Sequence, residues 1–284
     1  MTSTSIKSYL KSKSILYLTY RSWRYKLILT RSIIKKHFFK IIDRKADNSK
    51  LMINVGGGYY FRRHWKVLEY ETKWYKYSPG VIDYRHNLSS EDKFPLKDNS
   101  VHFFYLSHTI EHILQRYCQH LFNELYRCLK PGGGVRFTNP DFDLAYKGYG
   151  EKDIEFFKKC KGSNLDEKFL YFFASYHVVD QTKEMIKDTI NELKKKYLEM
   201  PKEKFADYYT LDIPPESQQK HAESHISWWN YEKIESFLRI AGFRKIYRSR
   251  YQASKFPEMR GVGRNIGFDS THPEFSLFVE AVKE

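Results

Sequence analysis

Leu51-Met52-Ile53-Asn54-Val55-Gly56-Gly57-Gly58 is a short apolar run with β-branched residues that ends at once in three glycines. Such a run suits a strand buried on both faces, and glycines directly after it suit a tight turn out of a parallel sheet. The rhythm then repeats. Trp65–Leu68, closed by Glu69, predicts a second strand, and Val81–Tyr84, leading into His86-Asn87-Leu88, a third. Val101–Leu106, after the turn Lys97-Asp98-Asn99-Ser100, predicts a fourth. Cys118, Leu121, Phe122, Leu125 and Leu129 have helical spacing, and Lys130-Pro131-Gly132-Gly133 ends that helix and turns the chain into a fifth strand, Val135–Thr138.

Toward the C-terminus, Tyr231–Ala241 predicts a helix stopped by Gly242, and Lys245–Tyr251 and Phe275–Val282 read as two more strands. Strands alternating with helices imply an α/β fold: a doubly wound, mostly parallel seven-stranded sheet with right-handed crossovers. Residues from about 142 to 224 interrupt the alternation. Rich in Lys, Glu, Tyr and Phe, they predict a helical insertion that serves as a lid on one domain spanning 49–284.

A hydrophobic content of 41%, with 17% aromatic residues, is ample for a core and excludes a disordered chain. The net charge of +15 is unevenly placed: residues 1–50 carry 13 Lys and Arg against Asp43 and Asp47, or +11, leaving +4 for the rest. Leu16, Tyr20, Trp23, Leu27, Ile34, Phe38 and Ile41 recur there at helical spacing among basic residues. Residues 1–48 therefore predict a basic amphipathic helical extension, suited to peripheral contact with an anionic membrane surface, to a polyanion, or to packing on the domain. The nearly balanced body argues against nucleic acid as the main partner, although a nucleic-acid-binding protein, enzyme or not, is the alternative from another class. No apolar run is long enough to span a bilayer, and a secretory leader is not recognisable, so a cytoplasmic location is expected, peripheral to the inner face of the membrane if residues 1–48 bind lipid. Cys118, Cys128 and Cys160 form no C-x-x-C pair and read as reduced, structural thiols.

In an open parallel sheet, ligands bind where the strands' carboxyl ends meet the switch in strand order. Gly56, Gly57 and Gly58 can let backbone approach a ligand; Glu69 can accept hydrogen bonds from two ribose hydroxyls; Asn87 offers an amide to an adenine edge, with Leu88 an apolar contact beside it. Position 61 is Phe where a dinucleotide fold would want a third glycine.

With these residues in place, the chain resembles the class I S-adenosylmethionine methyltransferases, specifically the small bacterial type associated with surface-polysaccharide biosynthesis. The matching stretches are Ile53–Gly58, Phe94–Val101, Ser107–His112, Leu129–Gly134 and Asn139-Pro140-Asp141, and, more loosely, 225–283. The resemblance implies a Rossmann-like methyltransferase fold and S-adenosyl-L-methionine as cofactor. It implies that Val55, Gly56, Gly57 and Gly58 face the methionine part, Glu69 the ribose, Asn87 and Leu88 the adenine, and that Ser107 with His108 closes the pocket. The chain departs from the pattern at Asn54 and Asn87, where acidic residues are usual. The implied reaction is O-methylation of a sugar or phosphorylated sugar for a surface glycan, by in-line attack on the methyl carbon. Candidate bases are His108, Asp141 and His225, in that order, and no metal is required.

Three rival patterns share these residues. His108-Thr109-Ile110-Glu111-His112 fits H-x-x-E-H, with histidines on one helical face, but nothing in the sequence marks a third zinc ligand. Asp141-Phe142-Asp143 is the D-x-D of a nucleotide-sugar glycosyltransferase. A catalytically silent methyltransferase fold is the third. His221 and His225, beside Trp228 and Trp229, and more weakly Tyr176 and His177, are placed to reach over the site.

Overall fold

The computed structural model describes residues 49–57, 65–70, 82–178, 188–216, 222–259 and 272–284. The extension expected over 1–48 lies outside them, as do Gly58, Val81 and His221. Seven strands form one sheet: β1 (Met52–Val55), β2 (Trp65–Glu69), β3 (Tyr84–Arg85), β4 (Val101–Ser107), β5 (Leu129–Pro140), β6 (Lys245–Arg248) and β7 (Ser276–Val282). Their order is β3-β2-β1-β4-β5-β7-β6. β1 to β5 are parallel, and β7 runs antiparallel between β5 and β6. The order reverses between β1 and β4, which opens a crevice at their carboxyl ends. The mostly parallel, doubly wound α/β sheet read from the alternation is the one that forms.

Helix α1 (Gln115–Cys128) exists because Cys118, Leu121, Phe122, Leu125 and Cys128 fall on one stripe, all of it buried in the main core with Ile53, Val55, Phe104, Leu106 and Phe137. Burial pushes the Cys118 and Cys128 thiols up to about 12, so both act as apolar filler. Four further helices, α2 (Phe142–Gly150), α3 (Leu165–Ala174), α4 (Ile190–Glu199) and α5 (Lys202–Thr210), lie within the expected insertion around a second core. That core is aromatic, with Phe142, Tyr149, Phe157, Phe169, Phe173, Phe205 and Tyr209 packed together, and Trp228 joins it from the segment before the next helix. Helix α6 (Tyr231–Ala241) packs on α1 and is capped at both ends. The Asn230 side chain accepts from Lys233 N–H, and Gly242 takes φ +113° where a Cβ would come within 3.0 Å of the Tyr126 ring.

Several boundaries differ from expectation. The third strand is Tyr84–Arg85 rather than Val81–Tyr84, because the Asp83 carboxylate accepts from Val67 N–H at 3.0 Å and takes a position the strand ladder would use. α1 stops at Cys128, and the chain is extended from Leu129, so β5 includes the Pro-Gly-Gly stretch expected to be its turn. The sixth strand ends at Arg248, not Tyr251.

Where β5 meets β7, Arg136 faces Glu280 across the ladder and both are fully buried. Nη1 of Arg136 donates to Glu280 at 2.7 Å and to Ser249 Oγ, and Nη2 donates to the Arg250 carbonyl. Tyr247 O–H and Lys255 N–H donate to the other Glu280 oxygen. Every charge is met, so removing one partner leaves the other stranded. Glu280→Ala is expected to lower the unfolding free energy by about 3–5 kcal/mol in urea titrations followed by circular dichroism; a loss under about 1 kcal/mol would show the pair to be dispensable.

Candidate active site

The carboxyl ends of β1, β2, β4 and β5 carry Gly56, Glu69, Ser107 and Pro140. Gly56 leaves β1 at φ +62°, its N–H donating to the Leu68 carbonyl at 3.0 Å. A Cβ there would lie 2.2 Å from the Thr109 methyl, and one on Gly57 would lie 2.4 Å from the Asn54 amide. Gly56 is thus demanded by its turn as well as by Thr109, and Gly57 lies against the Asn54 amide. Asn54 is buried beneath the turn it supports, and Thr109 Oγ1 donates to the Val55 carbonyl at 3.2 Å. Sequence reading missed Thr109: nothing in its neighbourhood shows that it is the residue under which Gly56 must pass.

Glu69 ends β2, where its side chain accepts from Tyr70 N–H and its carbonyl from His86 N–H. That bond brings 86–88 alongside. Asn87 Oδ1 accepts from Ser89 N–H and shapes the turn, while Leu88 packs on the main core. The structure therefore gathers Gly56, Gly57, Glu69, Asn87 and Leu88 on the β1 side of the switch point. Gly58 lies outside the described residues.

The other side of the crevice is built after β4. Ser107 pairs with Thr138, and His108 at φ +48° donates its N–H to the Thr138 carbonyl at 2.7 Å. His108 Nδ1 is 3.2 Å from Glu111 Oε1, and its Nε2 is 3.3 Å from Ser276 Oγ. Residues 110–112 form a single 3-10 turn rather than the helical face expected of H-x-x-E-H, because the chain must turn sharply from β4 into α1. His225 comes to the same place. Ile226 and Ser227 donate their N–H groups to the Glu111 carbonyl, and the His112 and His225 rings stand 5.0 Å apart. The sequence marked no third ligand for a site on His108 and His112; the fold brings His225, from more than a hundred residues away, beside Glu111 and His112.

Burial alone would raise the Glu111 carboxyl, but the pairing with His108 and the charges of His112 and His225 outweigh it and hold it down at about 2. Burial, then His112, lowers His225 to about 4, so this ring is neutral at ordinary pH.

Asp141, the second candidate base, caps α2 by accepting from Asp143 N–H and pairs with Arg248 at 2.6 Å, while burial raises its carboxyl. Asp143 pairs with Lys202. The two carboxylates of the D-x-D thus hold separate ion pairs. His177 is held by the Tyr209 carbonyl at 2.7 Å inside the insertion, and Tyr176 N–H reaches the His225 carbonyl.

Residues 66–137 match the family described as "Methyltransferase domain". No curated protein is matched by the sequence. Among solved structures, the chain is similar to an S-adenosylmethionine-dependent methyltransferase from Mesorhizobium loti, at 14% identity and TM-score 0.41 over 88% of this chain and 97% of that one. It is similar to a methyltransferase from Thermotoga maritima, described as a possible histamine N-methyltransferase, at 14% identity and TM-score 0.40 over 94% of this chain and 96% of that one. Against human N-acetylserotonin methyltransferase in complex with S-adenosylmethionine, identity is 13% and TM-score 0.37 over 92% of this chain, which spans 55% of the human chain. The family match supports a methyltransferase domain in this part of the chain.

Unfolded, His225 binds a proton near 6.5; folded, only near 4. The unfolded chain holds more protons across that window, so stability should fall as pH is lowered through it. Urea midpoints measured from pH 7 to pH 4 are expected to drop in the wild type and to flatten in His225→Asn. Equal slopes in the two proteins would remove His225 from this role.

Proposed function

We propose that the protein transfers the methyl group of S-adenosylmethionine to an oxygen of a sugar or phosphorylated sugar destined for a surface glycan. The observation that carries methyl transfer is the joint placement of a left-handed Gly56, the Asn54-supported Gly57 and Glu69 at the carboxyl ends of β1 and β2, beside the reversal of strand order. This edge fits the cofactor: glycine backbone that can approach a ligand, and a carboxylate for ribose hydroxyls one strand away. The acceptor class rests on the resemblance of the sequence blocks.

When bound, the cofactor supplies a methyl carbon activated by its sulfonium. The chain's own contribution is alignment and, for an unactivated hydroxyl, a base. Val55, Gly56, Gly57 and Gly58 are assigned to the methionine part, Glu69 to the ribose, Asn87 and Leu88 to the adenine, and Ser107 to the pocket wall. His108 is the preferred base because Glu111 orients its Nδ1, the relation of a carboxylate that positions a catalytic imidazole. Asp141 is committed to Arg248 and to the α2 cap, which places it behind His108.

Calorimetric titration with S-adenosylmethionine and S-adenosylhomocysteine is expected to show micromolar binding that weakens at least tenfold, or about 1.4 kcal/mol, in Glu69→Ala. No binding to the wild type would overturn the reading. Labelled methyl groups offered with nucleotide sugars and sugar phosphates, with RNA as the comparison, should appear in the sugar fraction.

Among the described residues no helix is long and apolar enough to cross a membrane. The basic residues of 1–48 support a peripheral attachment near a membrane-borne acceptor. The full chain should sediment with phosphatidylglycerol-containing vesicles, not with neutral ones, and be released at about 1 M salt; equal sedimentation with both would refute an electrostatic attachment.

A further inference from the structure

Glu111, His112 and His225 place one donor atom each within 4.8 Å of one another. They come from two separate pieces of chain, the 3-10 turn after β4 and the segment before α6, which two backbone hydrogen bonds to the Glu111 carbonyl hold in register. The tautomers follow from the partners. His112 Nδ1 lies 3.0 Å from the Ser224 carbonyl oxygen and His225 Nδ1 lies 2.5 Å from that of Phe172. A carbonyl only accepts, so Nδ1 carries the hydrogen on both neutral rings and the lone pair resides on Nε2. This is the arrangement by which backbone carbonyls orient histidines that ligate metal.

The carboxylate supplies a second, independent observation. Glu111 has a side-chain exposure of 3%, and while its Oε1 faces His108, its buried Oε2 has no hydrogen-bond partner among the described residues. Its near neighbours are the rings themselves: Oε1 is 3.2 Å from His108 Nδ1 and 3.9 Å from His112 Nε2. A buried carboxylate in that state is costly unless a cation meets it. A small cavity, with room for about one water molecule, adjoins Glu111 and His225, walled by Pro140, Phe142, Phe172 and Trp228.

We propose that Glu111, His112 and His225 bind a divalent transition-metal ion, with an open coordination position toward this cavity. Two imidazoles and one carboxylate suit zinc, cobalt or manganese, whereas magnesium and calcium prefer oxygen-only shells. Donor atoms around a tetrahedral ion stand about 3.4 Å apart, so small side-chain rotations close the present spacing onto one. The ligand set differs from a plain H-x-x-E-H: His112 and the distant His225 are the nitrogen ligands, and His108 remains on the Glu111 carboxylate. The open position has room for a water-sized ligand, which the ion would acidify. The metal site does not rest on the methyltransferase reading.

The test uses the full chain, dialysed against EDTA and titrated with Zn²⁺, Co²⁺ and Mg²⁺ by calorimetry, with visible spectra for Co²⁺ and melting temperature for each ion. Expected are stoichiometric Zn²⁺ binding, a tetrahedral Co²⁺ spectrum, a raised melting temperature and no response to Mg²⁺. Glu111→Gln and His225→Gln should lose these effects, and His108→Gln should keep them. Absence of Zn²⁺ and Co²⁺ binding by the wild type overturns the proposal, as does unchanged binding in both ligand variants. If those variants fail to fold, the wild-type Co²⁺ spectrum decides: tetrahedral bands uphold the site and an octahedral spectrum refutes it. S-adenosylmethionine affinity measured on the same samples separates the two readings: metal without cofactor binding upholds this inference and defeats the methyltransferase, and cofactor without metal does the reverse.

Discussion

The short turn after β4 holds the site together. Within Ser107–His112, Thr109 Oγ1 donates to the end of β1, His108 N–H donates to β5, and the carbonyls of Ile110 and Glu111 accept from Ser227 and Ile226 ahead of α6. Strands that are sequential neighbours in neither direction are thereby locked to one loop. Because Gly56 passes under Thr109 with no room for a Cβ, the glycine turn and the His108 turn cannot shift independently. The glycine turn after β1 and the His108 turn after β4 are therefore coupled through Thr109.

The fold handles its buried charges in two ways. Arg136 and Glu280 are sealed in the sheet with nearly every lone pair and proton matched, which specifies the β5–β7 register and leaves nothing for chemistry. Glu111 is equally buried but has the rings of His108 and His112 beside it and His225 within reach. A carboxylate held near 2 next to a histidine held near 4 is a pair of groups whose environments drive them from their ordinary values, the condition expected where a protein does chemistry. The D-x-D carboxylates are the opposite case: each is consumed by an ion pair with a side chain far away in sequence.

The helical insertion contributes more than cover. Phe172 from α3 supplies the carbonyl that sets the His225 tautomer, and Phe142, Phe172, Phe173 and Trp228 wall the cavity beside Glu111. A stacked aromatic core gives those rings little freedom, with Tyr149 and Phe169 parallel at 4.3 Å. The insertion therefore walls the His225 side of the crevice, while the sheet carries the glycine turn.

The sequence by itself determined the parts that depend on local periodicity and local breakers. β1, β2, β4 and β7, the stripe of α1, the glycine turn and the Asn230 and Gly242 caps are all written in runs of a few residues, where side-chain spacing and backbone freedom decide the outcome. So were Gly56, Glu69 and His108 as residues at strand ends. Tertiary structure decided what depends on partners distant in sequence. Asp83 shortened the third strand by occupying Val67 N–H, and Arg248 and Lys202 took the D-x-D carboxylates. Thr109 became the stop against Gly56, and His225 came to rest beside Glu111 and His112. None of these contacts repeats with a helix or strand period. They arise where segments distant in the chain are made neighbours by the strand order.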